Sequence, residues 1–181
     1  GMETAETHSM SMEFFAWPYL DGFFPKAGDA QRYRFQHALD ALSFLPYGTM
    51  VDEFQHRVYA EPDLTPAGRN AVWLELEAKY RPYIDQRGIP YLERGTRWQY
   101  QMHIYETPFY YIDYCLAQTA AFQFLLASQD DYDGAFARYL HLSQQGGEKL
   151  WTDLLTEAGF RSPFAPGALA QLAAQVEPLI R

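Results

Sequence analysis

One histidine and several tyrosines lie within residues 98–118, and among them are the side chains of this chain best suited to chemistry. The candidates are His103, Tyr105, Tyr110, Tyr111 and Tyr114. Each buried tyrosine needs a hydrogen-bond partner or a polar cavity for its hydroxyl. Phenols beside an imidazole can also bind a polar ligand or stabilise a developing negative charge. Spacing alone leaves a polar core network and a functional site equally open.

Two carboxylates near the start of the chain form a second candidate site. Glu6 and Glu13 lie seven residues apart, which places them on one helical face if the first helix extends back that far. Such glutamates are ordinarily solvated, but the apolar residues around Glu13 predict that it is drawn inward. A buried carboxylate needs a partner or a metal ion. Spacing alone favours a solvated or paired carboxylate over a metal ligand.

Two further motifs are better explained by structure than by chemistry. Glu53 and His56 form an E-x-x-H pair, which di-iron bundles use to bind metal from one helix face. No other histidine has a glutamate three residues before it, so a helix-surface pair, or a pair that supports the ligands of a site, is favoured. Gly146 and Gly147 lack the preceding strand and the full spacing of a phosphate loop, and they predict a helix end.

The elements that carry these residues are predicted to be helices in an all-α fold. We expect a helix over 9–24 that is kinked or restarted at Pro18. A helix from Asp29, with an apolar stripe at Phe35, Leu39 and Leu42, is expected to close at 46–48. Thr49 then opens a third helix. Thr65 is predicted to cap a helix that begins at Pro66, and residues 130–133 are predicted to cap a helix that ends at 146–147. Further helices are predicted around 97–105, over 108–128, over 148–158 and over 167–180. Residues 1–181 are expected to form one domain.

Composition excludes several classes of function. The net charge of −9 argues against nucleic acid as a main partner. The lone Cys115 excludes an internal disulfide framework and favours a reducing compartment, so we expect a cytoplasmic protein. Every long apolar stretch is interrupted by Pro, Asp or Gln, so no membrane span is expected.

Several separate segments resemble one family of enzymes. The likeness is carried by Ala5–Glu13, Leu45–Gly48, Val51–His56, Gln101–Ile104 and Pro108–Tyr114. In this order they resemble the oligoendopeptidase F branch of the thimet oligopeptidase family. Those proteins are zinc metallopeptidases with a mostly helical catalytic domain around a deep channel. The resemblance covers almost the whole chain and implies the C-terminal portion of such a catalytic domain.

The resemblance implies a role for each candidate residue. Glu6 matches the family's carboxylate zinc ligand, and Glu13 matches a nearby acidic residue that would orient a ligand. The histidine and tyrosines that hold the substrate and donate hydrogen bonds to the oxyanion correspond to His103, Tyr111 and Tyr114, with Tyr110 as a further match. One wall of a peptidase channel is therefore expected at residues 98–118.

One departure from the family is decisive. The family's zinc site needs H-E-x-x-H, with two histidine ligands and a glutamate base, and this motif does not occur here. We therefore expect a part of a peptidase for short peptides that is inactive alone. Zinc would belong to the complete enzyme and be absent or substoichiometric here, with the motif supplied by an upstream polypeptide. The alternative is a non-catalytic remnant that binds peptides or other proteins.

The missing segment also has physical consequences for this chain. The aromatic helix from Met10 to Phe24 would lose the partner it packs on in a complete enzyme, and exposed apolar surface usually finds another surface. We therefore predict self-association, most simply as a homodimer. Residues 1–8 are expected to be loosely ordered, because no metal pins Glu6.

Overall fold

The computed structural model describes residues 1–180, and within that range every regular element is helical. The prediction of an all-α fold is confirmed. The α-helices are α1 (Met2–Phe15), α2 (Asp29–Ala60), α3 (Pro66–Tyr80), α4 (His103–Glu106), α5 (Tyr111–Asp130), α6 (Tyr132–Gln144), α7 (Trp151–Glu157) and α8 (Ala168–Val176). Short 3₁₀ helices lie at Trp17–Gly22, Leu92–Arg94, Arg97–Tyr100 and Glu177–Ile180.

The chain divides into two compact units. The first unit contains Gly1–Leu42 and the segment from Leu116 onward, and the second contains Ser43–Cys115. Each unit has its own buried apolar cluster. The prediction that the chain forms one domain stays a prediction.

Helix α1 begins earlier than its apolar pattern suggests. It starts at Met2 and ends at Phe15, and Pro18 lies at the second position of the 3₁₀ helix that follows. The predicted restart at Pro18 is therefore confirmed. Proline is tolerated in the first turn of a helix because its missing N–H would have no helical partner there. Thr7 is fully buried, so residues 2–8 form the first turns of α1. The prediction of loose order for residues 1–8 concerns motion and stays a prediction.

Helix α2 runs without interruption through the segment that was predicted to end it. Pro46 lies inside the helix, and the predicted break at 46–48 is wrong. A proline removes only one helical hydrogen bond, whereas Met50, Val51 and Phe54 one turn later are fully buried. Their burial favours an unbroken helix, and the Thr49 hydroxyl donates to the Leu45 carbonyl at 2.8 Å.

The predicted apolar stripe of α2 is also wrong. Phe35 and Leu39 are 42% and 37% exposed, while Ala38 and Ala41 are buried. Within residues 35–41 of this helix, the buried positions thus hold small side chains, and the larger Phe35 and Leu39 lie at the surface. A pattern that counts only large apolar residues cannot detect this arrangement.

The core of the second unit forms around α3. Thr65 caps this helix by accepting a hydrogen bond from the Gly68 amide at 3.1 Å, as predicted. The buried cluster contains Met50, Val51, Phe54, Val72, Trp73, Leu76, Trp98 and Ile104. The indole of Trp73 donates to Glu77 at 2.9 Å, so a buried carboxylate satisfies a buried N–H.

The core of the first unit forms between α1 and the later helices. Its largest cluster contains Phe15, Phe124, Ala135, Tyr139, Leu142, Leu154 and Ala158. Asp131 caps α6 by accepting from the Gly134 amide at 3.0 Å. Phe14 packs on Phe122 with ring centroids 5.5 Å apart. The aromatic side chains of α1 thus find partners inside their own unit.

Gly48 gives the fold a specific test. A Cβ at this position would meet the Cys115 Sγ. We expect Gly48→Ala to destabilise the chain by about 1–3 kcal/mol, because the buried thiol has little room to move. In a Cys115→Ala background the same substitution should become neutral or stabilising, since alanine favours helix over glycine. Urea unfolding of the single and double variants measures the coupling.

Gly22→Ala is the control for that pair, because no atom lies within 4 Å of its added Cβ. Equal costs for Gly48→Ala with and without Cys115 would contradict the proposed clash.

Candidate functional site

A left-handed residue and a buried glutamine set the start of the candidate site. Phe109 has φ 63°, and its backbone N–H donates to the Gln55 Oε1 at 2.8 Å. Gln55 is fully buried, so this turn is held from α2. Helix α5 consequently begins at Tyr111 rather than at the predicted position 108. The turn brings Tyr110 and Tyr111 back toward α4.

The structure brings four of the predicted residues together as the His103 cluster, which consists of His103, Tyr110, Tyr111 and Tyr114. The His103 ring centroid lies 4.8 Å from that of Tyr111, 5.9 Å from that of Tyr114 and 6.3 Å from that of Tyr110. The rings of Tyr110 and Tyr114 are 4.9 Å apart. All four residues are half-buried, so each can combine a fixed position with access to a ligand.

Tyr105 lies apart from this cluster. It is 55% exposed and stacks on Trp98 at 6.1 Å between centroids. Of the five tyrosines in residues 98–118, three therefore converge on His103, while Tyr105 and the 92% exposed Tyr100 face solvent.

Burial keeps the central phenol in its protonated form. It raises the pKa of Tyr111 well above the ordinary tyrosine range, and the nearby Tyr47 and Cys115 act in the same direction. A neutral phenol donates a hydrogen bond. Burial also raises the pKa of Cys115 to about 12. The thiol thus stays protonated at neutral pH, so Cys115 is unsuited to act as a nucleophile.

Gln101 and Tyr47 belong to the site, although the sequence did not predict either of them as a site residue. Gln101 accepts a hydrogen bond from the Tyr47 hydroxyl at 2.7 Å, and its Nε2 lies 2.8 Å from the His103 Nδ1. Gln101 stands two residues before His103, which is the only local signal of its role. Tyr47 lay in a segment that predicted a helix end, so its contact across the unit could not be foreseen.

Both predicted acidic residues lie on α1, in the first unit. Glu6 is half-buried, and its Oε2 accepts a hydrogen bond from the Ser9 hydroxyl at 3.0 Å. Glu13 is 59% exposed at its side chain and lies 3.0 Å from the His37 Nε2. The expectation that Glu13 is drawn inward is wrong, because α1 buries Thr7, Ser11, Phe14 and Phe15 instead.

The E-x-x-H pair of α2 has structural partners. Glu53 accepts hydrogen bonds from the Tyr80 hydroxyl and, at 2.7 Å, from Lys79. His56 lies 3.5 Å from Asp52 and is largely exposed. The prediction of a helix-surface pair is therefore supported by separate partners for the two side chains.

The donor set of this chain does not fit a zinc ion. A catalytic zinc site takes three protein ligands, but residues 1–180 hold no group of three His, Cys, Asp or Glu side chains arranged for a metal. The Glu6 carboxylate accepts a hydrogen bond from Ser9, and the Glu13 carboxylate lies within hydrogen-bond distance of His37. In the same range no helix has both the length and the apolar character needed to cross a membrane.

Comparison with known proteins identifies the relatives of this chain. The sequence profile of peptidase family M3 matches residues 1–174. A crystal structure described as an oligoendopeptidase F superposes with a TM-score of 0.94 at 51% identity, over 98% of this chain and 31% of the other. PZ peptidase A with an inhibitor gives 0.94 at 50% identity, over 98% and 31%.

A further solved structure, an oligoendopeptidase F from Bacillus anthracis, gives a TM-score of 0.82 at 40% identity, over 99% of this chain and 28% of that chain. No curated protein matches the sequence significantly. The chain thus spans about a third of the length of the structures that it matches.

Proposed function

The chain belongs to peptidase family M3, and from this we propose that it is part of a zinc-dependent metalloendopeptidase that hydrolyses short peptides. The family and the oligoendopeptidase F structures support a metallopeptidase fragment. The convergence of His103 and its tyrosines carries the assignment of the site, because this group supplies the hydrogen-bond donors that peptide hydrolysis needs.

The part that these residues play is to bind and stabilise negative charge. Attack on a peptide carbonyl turns its oxygen into an oxyanion, and donors already in position lower the energy of that state. The Tyr111 phenol stays protonated and the His103 ring lies 4.8 Å away. Tyr114 and Tyr110 border the same space and contribute to holding the substrate.

The metal chemistry belongs to another polypeptide segment. The donor set here does not fit zinc, and H-E-x-x-H is not among the residues of this chain. We propose that a segment bearing this motif completes the enzyme, with Glu6 as its carboxylate ligand and Glu13 beside it. A reducing, cytoplasmic location remains part of the proposal, since Cys115 is free and buried.

We expect the purified chain alone to hydrolyse no peptide and to hold less than one zinc ion per molecule. Two histidine ligands and a general base are missing, and a lone carboxylate makes no tight zinc site. Quenched fluorescent peptides and metal analysis after gel filtration test both points. Chelator-sensitive turnover by this chain alone would overturn this prediction.

A chimeric protein tests the proposed function directly. In it, this chain replaces the matching 31% of the oligoendopeptidase F relative to which it is 51% identical. We expect chelator-sensitive peptide hydrolysis. A folded, zinc-loaded chimera without activity would contradict the peptidase role and favour a non-catalytic module that binds peptides or proteins.

We also expect self-association of the isolated chain, although its structural basis differs from the predicted one. Phe14, Phe15, Trp17 and Leu20 are buried, so the aromatic helix is not left bare. The exposed apolar side chains of the first unit instead include Tyr19 (61%), Phe23 (72%), Tyr33 (41%), Phe35 (42%) and Leu39 (37%). Sedimentation at micromolar concentration should show a dimer that Phe23→Asp with Phe35→Asp weakens. A clean monomer would refute the prediction.

A further inference from the structure

The side chain of Gln101 lies among three rings of the candidate site. Its Oε1 accepts from the Tyr47 hydroxyl at 2.7 Å, and its Nε2 lies 2.8 Å from the His103 Nδ1. A hydrogen bond from Gln101 also opposes the effect of burial on the pKa of Tyr111. No other side chain of this site bridges the imidazole and a phenol in this way among the described contacts. Gln101 is therefore placed to control which nitrogen of His103 carries the proton.

Two arginines lie against the ring of Tyr47, whose hydroxyl donates to Gln101. The guanidinium carbons of Arg81 and Arg97 lie 5.1 Å and 5.5 Å from the Tyr47 ring centroid. Burial raises the pKa of Tyr47, and the positive charges of Arg97 and Arg81 oppose that effect. A guanidinium donates hydrogen bonds and cannot accept them. Neither arginine therefore competes for the Tyr47 hydroxyl hydrogen, which the Oε1 of Gln101 accepts.

The orientation of the amide then determines the tautomer of the imidazole. With Oε1 turned to Tyr47, the NH₂ group of Gln101 faces the His103 Nδ1. An amide nitrogen donates only, so Nδ1 must be the bare nitrogen that accepts. In a neutral imidazole the proton then lies on Nε2.

We propose that Gln101 is a positioning residue, which holds His103 as the tautomer with its proton on Nε2, and that Tyr47 fixes the amide in the orientation this requires. His103 then presents a hydrogen-bond donor from Nε2. The use of that donor on a peptide oxyanion rests on the proposed function, whereas the tautomer itself does not.

The far end of this network is fixed in the core of the second unit. Arg81 donates to Glu77 at 2.8 Å, and Glu77 accepts from the indole of Trp73 at 2.9 Å. Trp73 is fully buried and Glu77 is 5% exposed. These two hydrogen bonds hold Arg81 and Glu77 in one arrangement. Tyr47 and Gln101 thereby gain a rigid support for aligning His103.

The tautomer can be measured on the chain as it exists. Nitrogen-15 spectra of the imidazole rings distinguish the nitrogen that carries a proton from the one that does not. They are recorded at a pH about two units above the reference pKa of histidine, where a neutral ring predominates. The His103 signals are identified by their loss in His103→Asn. We expect the Nε2–H form to exceed the Nδ1–H form by about tenfold or more, because the alternative leaves the amide facing a second donor. The exposed His56 serves as the internal control and should be unaffected by the substitutions.

Two variants at one position separate control of the proton from packing. Gln101→Glu places a carboxylate, which only accepts, against Nδ1, so the proton should move to Nδ1. Gln101→Leu removes both interactions and should leave a mixture of tautomers. Tyr47→Phe removes the hydrogen bond that fixes the Gln101 amide, so the amide can rotate and a mixture of tautomers is expected. This variant tests the proposal even where the charge of Gln101→Glu prevents folding. A predominant Nδ1–H form in the unaltered chain, or one tautomer in every folded variant, would overturn the proposal.

The chimera distinguishes this inference from the proposed function. An Nε2–H tautomer in a chain whose folded, zinc-loaded chimera is inactive would refute the peptidase role and leave the positioning role of Gln101 standing. An active chimera with an Nδ1–H tautomer would refute the inference alone. In an active chimera, Gln101→Glu should lower kcat more than it changes KM.

Discussion

Replacing Tyr111 by phenylalanine is expected to lower the kcat of the chimeric peptidase by about 10²–10³-fold, the usual cost of removing one oxyanion donor. The substitution deletes only the hydroxyl. The ring contacts to His103, Phe44 and Tyr47, at 4.8, 5.6 and 6.0 Å between centroids, remain possible. A loss in kcat with a small change in KM would identify an interaction made chiefly in the transition state.

Tyr105→Phe is the matched control for that experiment. It removes the same hydroxyl from an exposed tyrosine that stacks on Trp98 away from His103. We expect less than a threefold change in kcat, an order-of-magnitude bound for a group outside the oxyanion site. Similar losses in the two variants, or an unchanged kcat for Tyr111→Phe at full zinc content, would contradict the role assigned to Tyr111.

Trp73→Ala should lower the free energy of unfolding by about 3–5 kcal/mol, more than Gly48→Ala or Leu74→Ala. Trp73 is fully buried, packs on Phe54 with ring centroids 5.2 Å apart, and donates its indole N–H to Glu77. The substitution opens a cavity and leaves a buried carboxylate short of a donor. Urea unfolding measures the change, and an unchanged m-value shows that the shift of the midpoint reports stability.

The neighbouring Leu74→Ala provides the control for Trp73. Leu74 lies on the same helix and is 39% exposed, so its truncation should cost less than about 1 kcal/mol. A cost for Trp73→Ala no larger than that of Leu74→Ala would show that the second unit is not organised around this indole.

Local signals predicted those parts of the fold that depend on neighbouring residues. Thr65 caps α3 and Asp131 caps α6, because a cap acts within three residues of the chain. The break predicted at Pro46 is wrong because this part of the fold depends on residues far along the chain. Burial of Met50 and Phe54, which depends on the rest of the unit, outweighed one lost hydrogen bond.

The candidate site shows the same limit. His103, Tyr111 and Tyr114 are close in sequence, so a single turn suffices to bring them together. Gln101 was adjacent but gained its role from Tyr47, which is distant along the chain. The predicted inward position of Glu13 failed because the register of α1 buries Phe14 and Phe15, and the paired His37 could not be foreseen.

The left-handed backbone of Phe109 has a consequence for protein engineering. A φ of 63° is costly for a large side chain, by about 1–3 kcal/mol, and glycine or asparagine would relieve most of it. A selection for heat resistance would therefore favour such replacements at this position. The phenylalanine ring also contacts His56 and Tyr59, at 4.9 and 5.0 Å between centroids. Variants that gain thermal stability at this position should lose the fixed backbone conformation that places Tyr110. Thermal stability and catalytic turnover are therefore expected to change in opposite directions at this residue.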